Sequence, residues 1–256
     1  HKRSKDYELI RKGYSQRIVR EILKGTSNHK LDHLLDLGTG TGQIPACFYS
    51  FAKKITGTDP QKERITQANI RFNQKKKVTF RQESAEKIKE KNNTISLVTA
   101  AQCYQYFKKD KVIKEIHRVL HPGGKVCILW KYPNQNTWQA NVALRIAKKT
   151  IKKFRITLPL PRDMEPQLKT LPVLSNLKKH GFENLSYKKI TSKYHYSFLD
   201  WVSLMTWPMG AGTGTLDPKV LHFIENELYL ALQKKGFKNG IFETYDHFLF
   251  QGYKKK

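Results

Sequence analysis

The stretch Leu34-Leu35-Asp36-Leu37-Gly38-Thr39-Gly40-Thr41-Gly42 sets the tightest limit on what this chain can fold into. An apolar run stops at an acidic residue, and three glycines follow in five positions. Glycine takes positive φ without strain, and its missing Cβ lets a ligand approach the main chain. A strand that ends in such a loop and runs on into a helix is the opening unit of an open α/β sheet, whose ligands sit at the carboxyl ends of the strands. Spacing narrows the ligand. A phosphate-cradling P-loop needs Lys and then Ser or Thr after its last glycine, whereas Gln43 and Ile44 stand there. A G-x-G-x-x-G dinucleotide loop needs a third glycine at position 43, which is Gln43. What remains is D-x-G-x-G-x-G, from Asp36 to Gly42.

From about Leu31 to Trp130, short apolar runs alternate with amphipathic stretches, the rhythm of βαβ units and a parallel sheet. The pattern predicts strands over 33–38, 54–58, 78–82, 95–101 and 125–130, and helices over 43–52, 61–73 and 108–120. His121-Pro122-Gly123-Gly124 reads as the stop of the last helix and a turn into the next strand. A helix over 7–24 precedes the sheet. After Trp130 the rhythm changes to helices over 138–154, 168–180, 198–206 and 218–235, a long strand over 182–196 and a closing aromatic strand over 243–253 that would run antiparallel at the sheet edge.

The glycine loop has company further along. Gly57-Thr58-Asp59-Pro60 ends the second strand, with Asp59 seventeen residues past Gly42. Ser84-Ala85-Glu86, Val98-Thr99-Ala100-Ala101-Gln102 and Arg118-Val119-Leu120-His121-Pro122-Gly123-Gly124 follow in order. Together these resemble the class I S-adenosylmethionine-dependent methyltransferases over about residues 34–130. Within that family, Leu97 to Phe107, Arg11-Lys12-Gly13-Tyr14 and Thr206-Trp207 look like the type 11 group that includes trans-aconitate methyltransferases. Gln105 and Tyr106 depart from the His and Trp of that group, and Lys12 and Ser96 from its Pro and Asp.

The resemblance implies an α/β fold: a Rossmann-like, doubly wound, mostly parallel seven-stranded sheet with an antiparallel edge strand and helical lid insertions. It implies one methyltransferase domain over 1–256, with a cofactor-binding core at about 31–130 and a substrate-side cap from about 1–25, 131–170 and 195–240. The implied cofactor is S-adenosylmethionine. Gly38, Thr39, Gly40 and Gly42 would hold it by the main chain, Asp36 the methionyl end, Asp59 and Pro60 the ribose, Ser84, Ala85 and Glu86 the adenine side, and Ala101 and Gln102 the methionyl amine. A carboxylate suits the ribose because two vicinal hydroxyls can donate to its two oxygens. Gln102, Gln105, Tyr14 and Arg11 are the residues expected on the substrate and catalytic side. Trp130 and Trp207 read as core, and no metal is implied.

The formal net charge of +27 points, taken alone, to nucleic acid or an anionic surface. The 48 basic residues divide into 37 Lys and 11 Arg, and the lysines fall in short clusters along the whole chain. Recognition of phosphate in fixed geometry favours Arg, so a small-molecule substrate is expected and nucleic acid is the alternative. A third alternative is a module that binds the cofactor without turnover. The composition excludes a disordered chain, and no apolar run approaches the ~18 residues of a membrane span; a cytoplasmic location is the expectation. Cys47, Cys103 and Cys127, odd in number and without C-x-x-C spacing, read as buried thiols. His117 and His121 lie at i and i+4 but have no third ligand in view nearby, so the segment reads as helix end plus turn.

Overall fold

Strands β1 (Leu31–Leu37), β2 (Ala52–Asp59), β3 (Val78–Gln82), β4 (Ile95–Ala101) and β5 (Leu120–Pro133) pair in parallel, β1 with both β2 and β4, β2 with β3 and β4 with β5. The computed structural model describes residues 10, 12–26, 30–73, 75–160, 167–168, 171–206, 216–237 and 239–255. Strands covered on both faces have little use for polar alternation, and β1 accordingly buries every residue except Asp32. With β6 (Phe182–Tyr196) and β7 (Ile241–Lys254) the sheet has seven strands in the order β3-β2-β1-β4-β5-β7-β6. β7 is the antiparallel strand. The Asn134 N–H donates to Thr244 O, Trp130 meets Phe250, Thr191 donates to Asp246, and a Cβ on Gly252 would lie against Leu185, so β7 descends as both neighbours rise. The antiparallel strand falls toward one edge as expected, but β6 takes the outermost place.

Helices α1 (Gln16–Leu23), α2 (Gln43–Phe48), α3 (Lys62–Arg71), α4 (Lys109–Val119), α5 (Trp138–Phe154), α6 (Val173–Lys179), α7 (Phe198–Thr206) and α8 (Pro218–Lys235) accompany the sheet, with 3-10 turns over Tyr49–Phe51 and Tyr104–Tyr106. Their ends follow local chemistry. The Thr137 side chain accepts from the Ala140 N–H to cap α5, and Asp217 does the same for α8 with Pro218 at its first position. α1 starts at Gln16, later than the expected 7–24; residues 1–9 and 11 lie outside the described set. α6 starts only after Pro172, which shortens the expected 168–180. The helix expected over 43–52 ends at Phe48, followed by a 3-10 turn over Tyr49–Phe51.

One correction concerns His121-Pro122-Gly123-Gly124. The segment is not a turn before the strand but a bulge inside β5: Ile95 pairs with Leu120 and Leu97 with Lys125, so five positions of β5 match two of β4. A positive φ of 77° at Gly123 absorbs the extra chain.

The chain divides into two compact units. The first holds 1–12, 132–166 and 191–246, and the second 13–131, 167–190 and 247–256. Residues 13–25, read from sequence as part of the cap, thus belong to the unit of the glycine loop. The second unit packs α1 through Ile18, Val19, Ile22 and Leu23 onto Leu34, Ile55, Leu97 and Leu129 of the sheet, each such side chain contributing roughly 1.5–3 kcal/mol. The first unit has a separate core, where Val142 and Ile146 of α5, Trp201 of α7 and Ile224 and Leu228 of α8 pack with Tyr196 and Tyr245. Among the described residues no helix is long and apolar enough to cross a membrane.

Candidate functional site

The carboxyl ends of β1, β2 and β4 bring the glycine loop, Asp36, Asp59 and Gln102 into one part of the second unit. Gly38, Gly40 and Gly42 all have positive φ, at 62°, 56° and 82°. Their surroundings differ, and a Cβ on Gly42 would stand 2.8 Å from the Phe72 ring. A Cβ on Gly38 would stand 2.8 Å from Cys103 Sγ, whereas one on Gly40 would meet only Arg64 Nη1, at 3.4 Å. The loop is therefore closed against the protein at Gly38 and open at Gly40, a cradle that a side chain would fill. The Thr39 N–H donates to Thr58 O at 2.8 Å, which ties the loop to β2. The buried Thr58 hydroxyl has no hydrogen-bond partner among the described residues, a vacancy that a polar ligand would answer.

Two carboxylates flank the loop. Asp36 is 1% exposed, and its Oδ1 accepts from Thr99 Oγ1 at 2.7 Å. Burial pushes its pKa up to about 7; the Thr99 and Thr39 hydroxyls oppose that shift and the neighbouring Asp59 adds to it. A cation arriving here would relieve both burial and repulsion. Asp59 Oδ2 accepts from the Gly40 N–H at 3.0 Å and Oδ1 from the Gln61 N–H at 2.9 Å. It closes the β2–α3 turn and fastens the glycine loop at once. Each oxygen keeps a second acceptor position, which is what two vicinal hydroxyls need.

Residues 35–128 match the type 11 methyltransferase domain family. This segment is a methyltransferase domain. A curated relative, an uncharacterised methyltransferase of Schizosaccharomyces pombe, is 31% identical over 126 residues, covering 49% of this chain and 49% of the relative. The chain spans about half the length of this and two other curated relatives that it matches. Among solved structures, one described as a type II methyltransferase of Anaeromyxobacter dehalogenans superposes with a TM-score of 0.73 at 18% identity, covering 96% of this chain and 99% of that one. Phosphoethanolamine N-methyltransferase 2 of Haemonchus contortus, solved with phosphomonomethylethanolamine and S-adenosylhomocysteine, gives 0.55 at 19% identity, covering 99% of this chain and 57% of that one. At these identities the likeness shows the fold: a Rossmann-like, mostly parallel seven-stranded sheet.

The methyltransferase domain places the remaining expected residues unevenly. Ala85 is buried beside exposed Ser84. The Glu86 carboxylate accepts from the Ser84 hydroxyl and, at 3.0 Å, from the Lys108 N–H at the start of α4. Burial would raise the Glu86 pKa, but these bonds more than offset it and hold the group below the usual value. Pro60 is exposed, and its carbonyl accepts from Gln82 Nε2 at 3.1 Å. Ala101 ends β4, paired with Leu129.

The two glutamines expected to grip substrate have their amides engaged by the protein. Gln105 Oε1 accepts from Trp130 Nε1 at 3.0 Å while its Nε2 donates to Gln102 O at 3.0 Å. Gln102 Nε2 in turn donates to Lys131 O at 2.6 Å, and Gln102 itself holds a left-handed φ of 61°. A non-glycine residue in that region is strained, and such strain clusters at functional sites. The pair thus shapes the loop after β4. Tyr14 donates its N–H to Cys47 Sγ at 3.2 Å, and its ring stands 5.7 Å from that of His247. Arg11 and Trp207 lie outside the described residues. Trp130 is core, 1% exposed.

Three contributors escaped the sequence reading. Cys103 donates its thiol to Leu37 O at 3.2 Å and abuts Gly38, and burial raises its pKa well above the usual value. Thr99 is the donor to Asp36. Lys131, 5% exposed, donates to Gly13 O at 3.2 Å. Lys131 left a signal, a charge ending the apolar run Val126 to Trp130; Thr99 and Cys103 left none, because their roles depend on strand register. Of the thiols read as buried, Cys127 is buried, whereas Cys47 and Cys103 are half-buried.

Proposed function

We propose that this protein is an S-adenosylmethionine-dependent methyltransferase that transfers the sulfonium methyl in line to a small-molecule acceptor in the cytoplasm, leaving S-adenosylhomocysteine. The observation that carries this reading is the open cradle at Gly40, fastened by Asp59 and flanked by a fully buried Asp36 whose burial calls for a cation. The donor's cationic sulfur makes its methyl group reactive without further activation. The chain's task is then to bind and orient. The Gly40 cradle accepts close main-chain approach, the free acceptor positions of Asp59 suit ribose hydroxyls, Asp36 faces the cationic end, and the buried Ala85 offers apolar surface to a base. Catalysis by positioning needs no proton acceptor unless the substrate must lose a proton.

A small-molecule acceptor is favoured because part of the lysine excess is structural. Lys125 donates to Ile22 O and Lys24 O, Lys254 to His117 O and Leu120 O, and Lys77 to Ala52 O. A carboxylic acid acceptor, the finer reading suggested by the likeness to trans-aconitate methyltransferases, would require no base.

The test is transfer of labelled methyl from S-adenosylmethionine into a small-molecule extract and into total RNA, with Asp59→Asn as the control. Label in the small-molecule pool, reduced in the variant, supports the reading. Label confined to RNA overturns the choice of acceptor. Donor binding by calorimetry without transfer into either pool would leave a binding module, and absence of donor binding would overturn the whole.

A further inference from the structure

Six cations and no carboxylate occupy α5 and the residue after it: Arg145, Lys148, Lys149, Lys152, Lys153 and Arg155. All six are exposed. At about 100° per residue they fall within an arc of about 160° along one side of the helix. The other side, through Val142, Ala143, Ile146 and Ala147, is buried in the core of the first unit. The cations therefore stand as a fixed row about 15 Å long, from Arg145 to Arg155.

Little in the unit answers that row. Lys149 pairs with Glu227 of α8 at 2.7 Å. Among the described residues, Arg145, Lys148, Lys152, Lys153 and Arg155 have no carboxylate at ion-pair distance. α8, which packs on α5, carries Glu225 and Glu227 but also Lys219, Lys234 and Lys235. At one flank of the row lies an aromatic pair: Phe223 meets Phe154 edge to face at 5.4 Å, with Lys153 Nζ 4.2 Å and Lys149 Nζ 5.5 Å from the Phe223 ring.

We propose that this face of α5 docks the phosphodiester backbone of a nucleic acid. Unpaired like charges held in line by a rigid helix repel one another, and a linear polyanion relieves that repulsion along the whole row. At about 3.4 Å per nucleotide, a 15 Å row spans about four phosphates. Neutralising a phosphodiester backbone needs charge and no fixed geometry, so the four Lys serve there alongside the two Arg. An anionic membrane fits less well. Helices that lie on bilayers do so by their apolar face, and that of α5 is already buried. The inference is independent of the methyl donor, so its test omits it.

Binding of a labelled oligouridylate and of a mixed-sequence duplex would be titrated across salt concentrations. The variant Arg145→Gln/Lys148→Gln/Lys152→Gln keeps helix propensity and touches only exposed positions. A control replaces exposed Lys76, Lys87 and Lys114 of the second unit by Gln. Thermal melting confirms that both variants fold, and Lys148→Gln alone serves should the triple variant not. The α5 triple should weaken oligouridylate binding by more than about tenfold at about 0.1 M salt and flatten the log–log salt slope by about 2, with the control losing far less. Equal losses in both triples, no binding by the parent chain, or α5-dependent binding to phosphatidylserine vesicles without nucleic-acid binding would each overturn the proposal.

Discussion

Asp36 in the second unit and Glu243 in the first are two carboxyl groups with nearly the same local description and opposite surroundings. Each is 1% exposed. Each accepts one short side-chain bond, Asp36 from Thr99 Oγ1 and Glu243 from Trp201 Nε1, both at 2.7 Å. Burial pushes each pKa up to about 7. Near Asp36, however, stand the glycine loop that opens at Gly40 and a second carboxylate, Asp59. Around Glu243 stand rings: Trp201 stacked on Trp138 with centroids 6.4 Å apart, and Tyr196 and Tyr245 in the same core. A buried carboxyl beside an open loop and a repelling charge suits the ligand role proposed for Asp36. One that closes its bond to an indole inside a packed aromatic core is arranged for structure. A raised pKa alone does not separate the two.

The largest test of that contrast uses two glycines. Gly40 and Gly236 have positive φ, 56° and 73°, and neither position crowds a Cβ: Gly40 would meet Arg64 Nη1 at 3.4 Å, and Gly236 nothing within 4 Å. Alanine at either site should therefore cost a similar left-handed strain, about 1–2 kcal/mol of folding stability. Only Gly40→Ala fills the cradle. Donor affinity measured by calorimetry should fall on the order of a hundredfold in Gly40→Ala and stay at the parent value in Gly236→Ala. Equal affinities in the two would remove the glycine loop from the site.

The carboxyl pair gives the next test, in pH. A carboxyl whose folded pKa lies above its unfolded value binds its proton more tightly in the native state, so stability falls as pH rises through that window. For both groups the window runs from the ordinary carboxyl value, 3.8 for Asp36 and 4.5 for Glu243, up to about 7, and the loss persists above it. Inside it each group contributes a decline on the order of 1 kcal/mol per pH unit, and Asp36→Asn or Glu243→Gln should each flatten the stability profile. Donor affinity separates them. A cationic ligand favours ionised Asp36, so affinity should rise severalfold or more from about pH 5 to about pH 8. Asp36→Asn should level that rise and Glu243→Gln leave it intact. A rise that survives in Asp36→Asn would sever the link between this carboxyl and the ligand.

In secondary structure both units are legible in the sequence. β3, β4, α5, β6, α7 and α8 coincide with the ranges expected from periodicity, because long amphipathic or alternating stretches are governed by burial of one face. The bulge in β5 was misread, since Pro122-Gly123-Gly124 is the same local signal whether the chain turns or continues. The positive φ of Gly38, Gly40 and Gly42 is legible because residue type at fixed spacing carries it. The roles of Gln102 and Gln105 are not. A glutamine amide that bonds carbonyls 3 or 29 positions away has no sequence signature, and neither does the β1–β4 register that sets Thr99 on Asp36.

The smallest effect expected belongs to that glutamine relay, and it sharpens the distinction between positioning and structure inside the second unit. Gln105 links the buried Trp130 indole to the carbonyl of the strained Gln102. Gln105→Leu leaves a buried indole N–H unanswered and should cost about 1–3 kcal/mol of stability; Trp130→Phe removes the donor and so avoids that cost, but it loses stability by leaving a cavity in the core. If the bonds merely stabilise the fold, donor affinity should follow neither change. If they hold the loop after β4 in place, Gln105→Leu should weaken the donor severalfold, and Trp130→Phe should do so more mildly, because Gln105 Nε2 can still reach Gln102 O. Adding Gln102→Gly to Gln105→Leu separates these cases further: glycine carries the left-handed φ without strain, so the double variant should recover donor affinity while remaining less stable than the parent. Recovery of stability without recovery of affinity would assign the relay to the fold and not to the site.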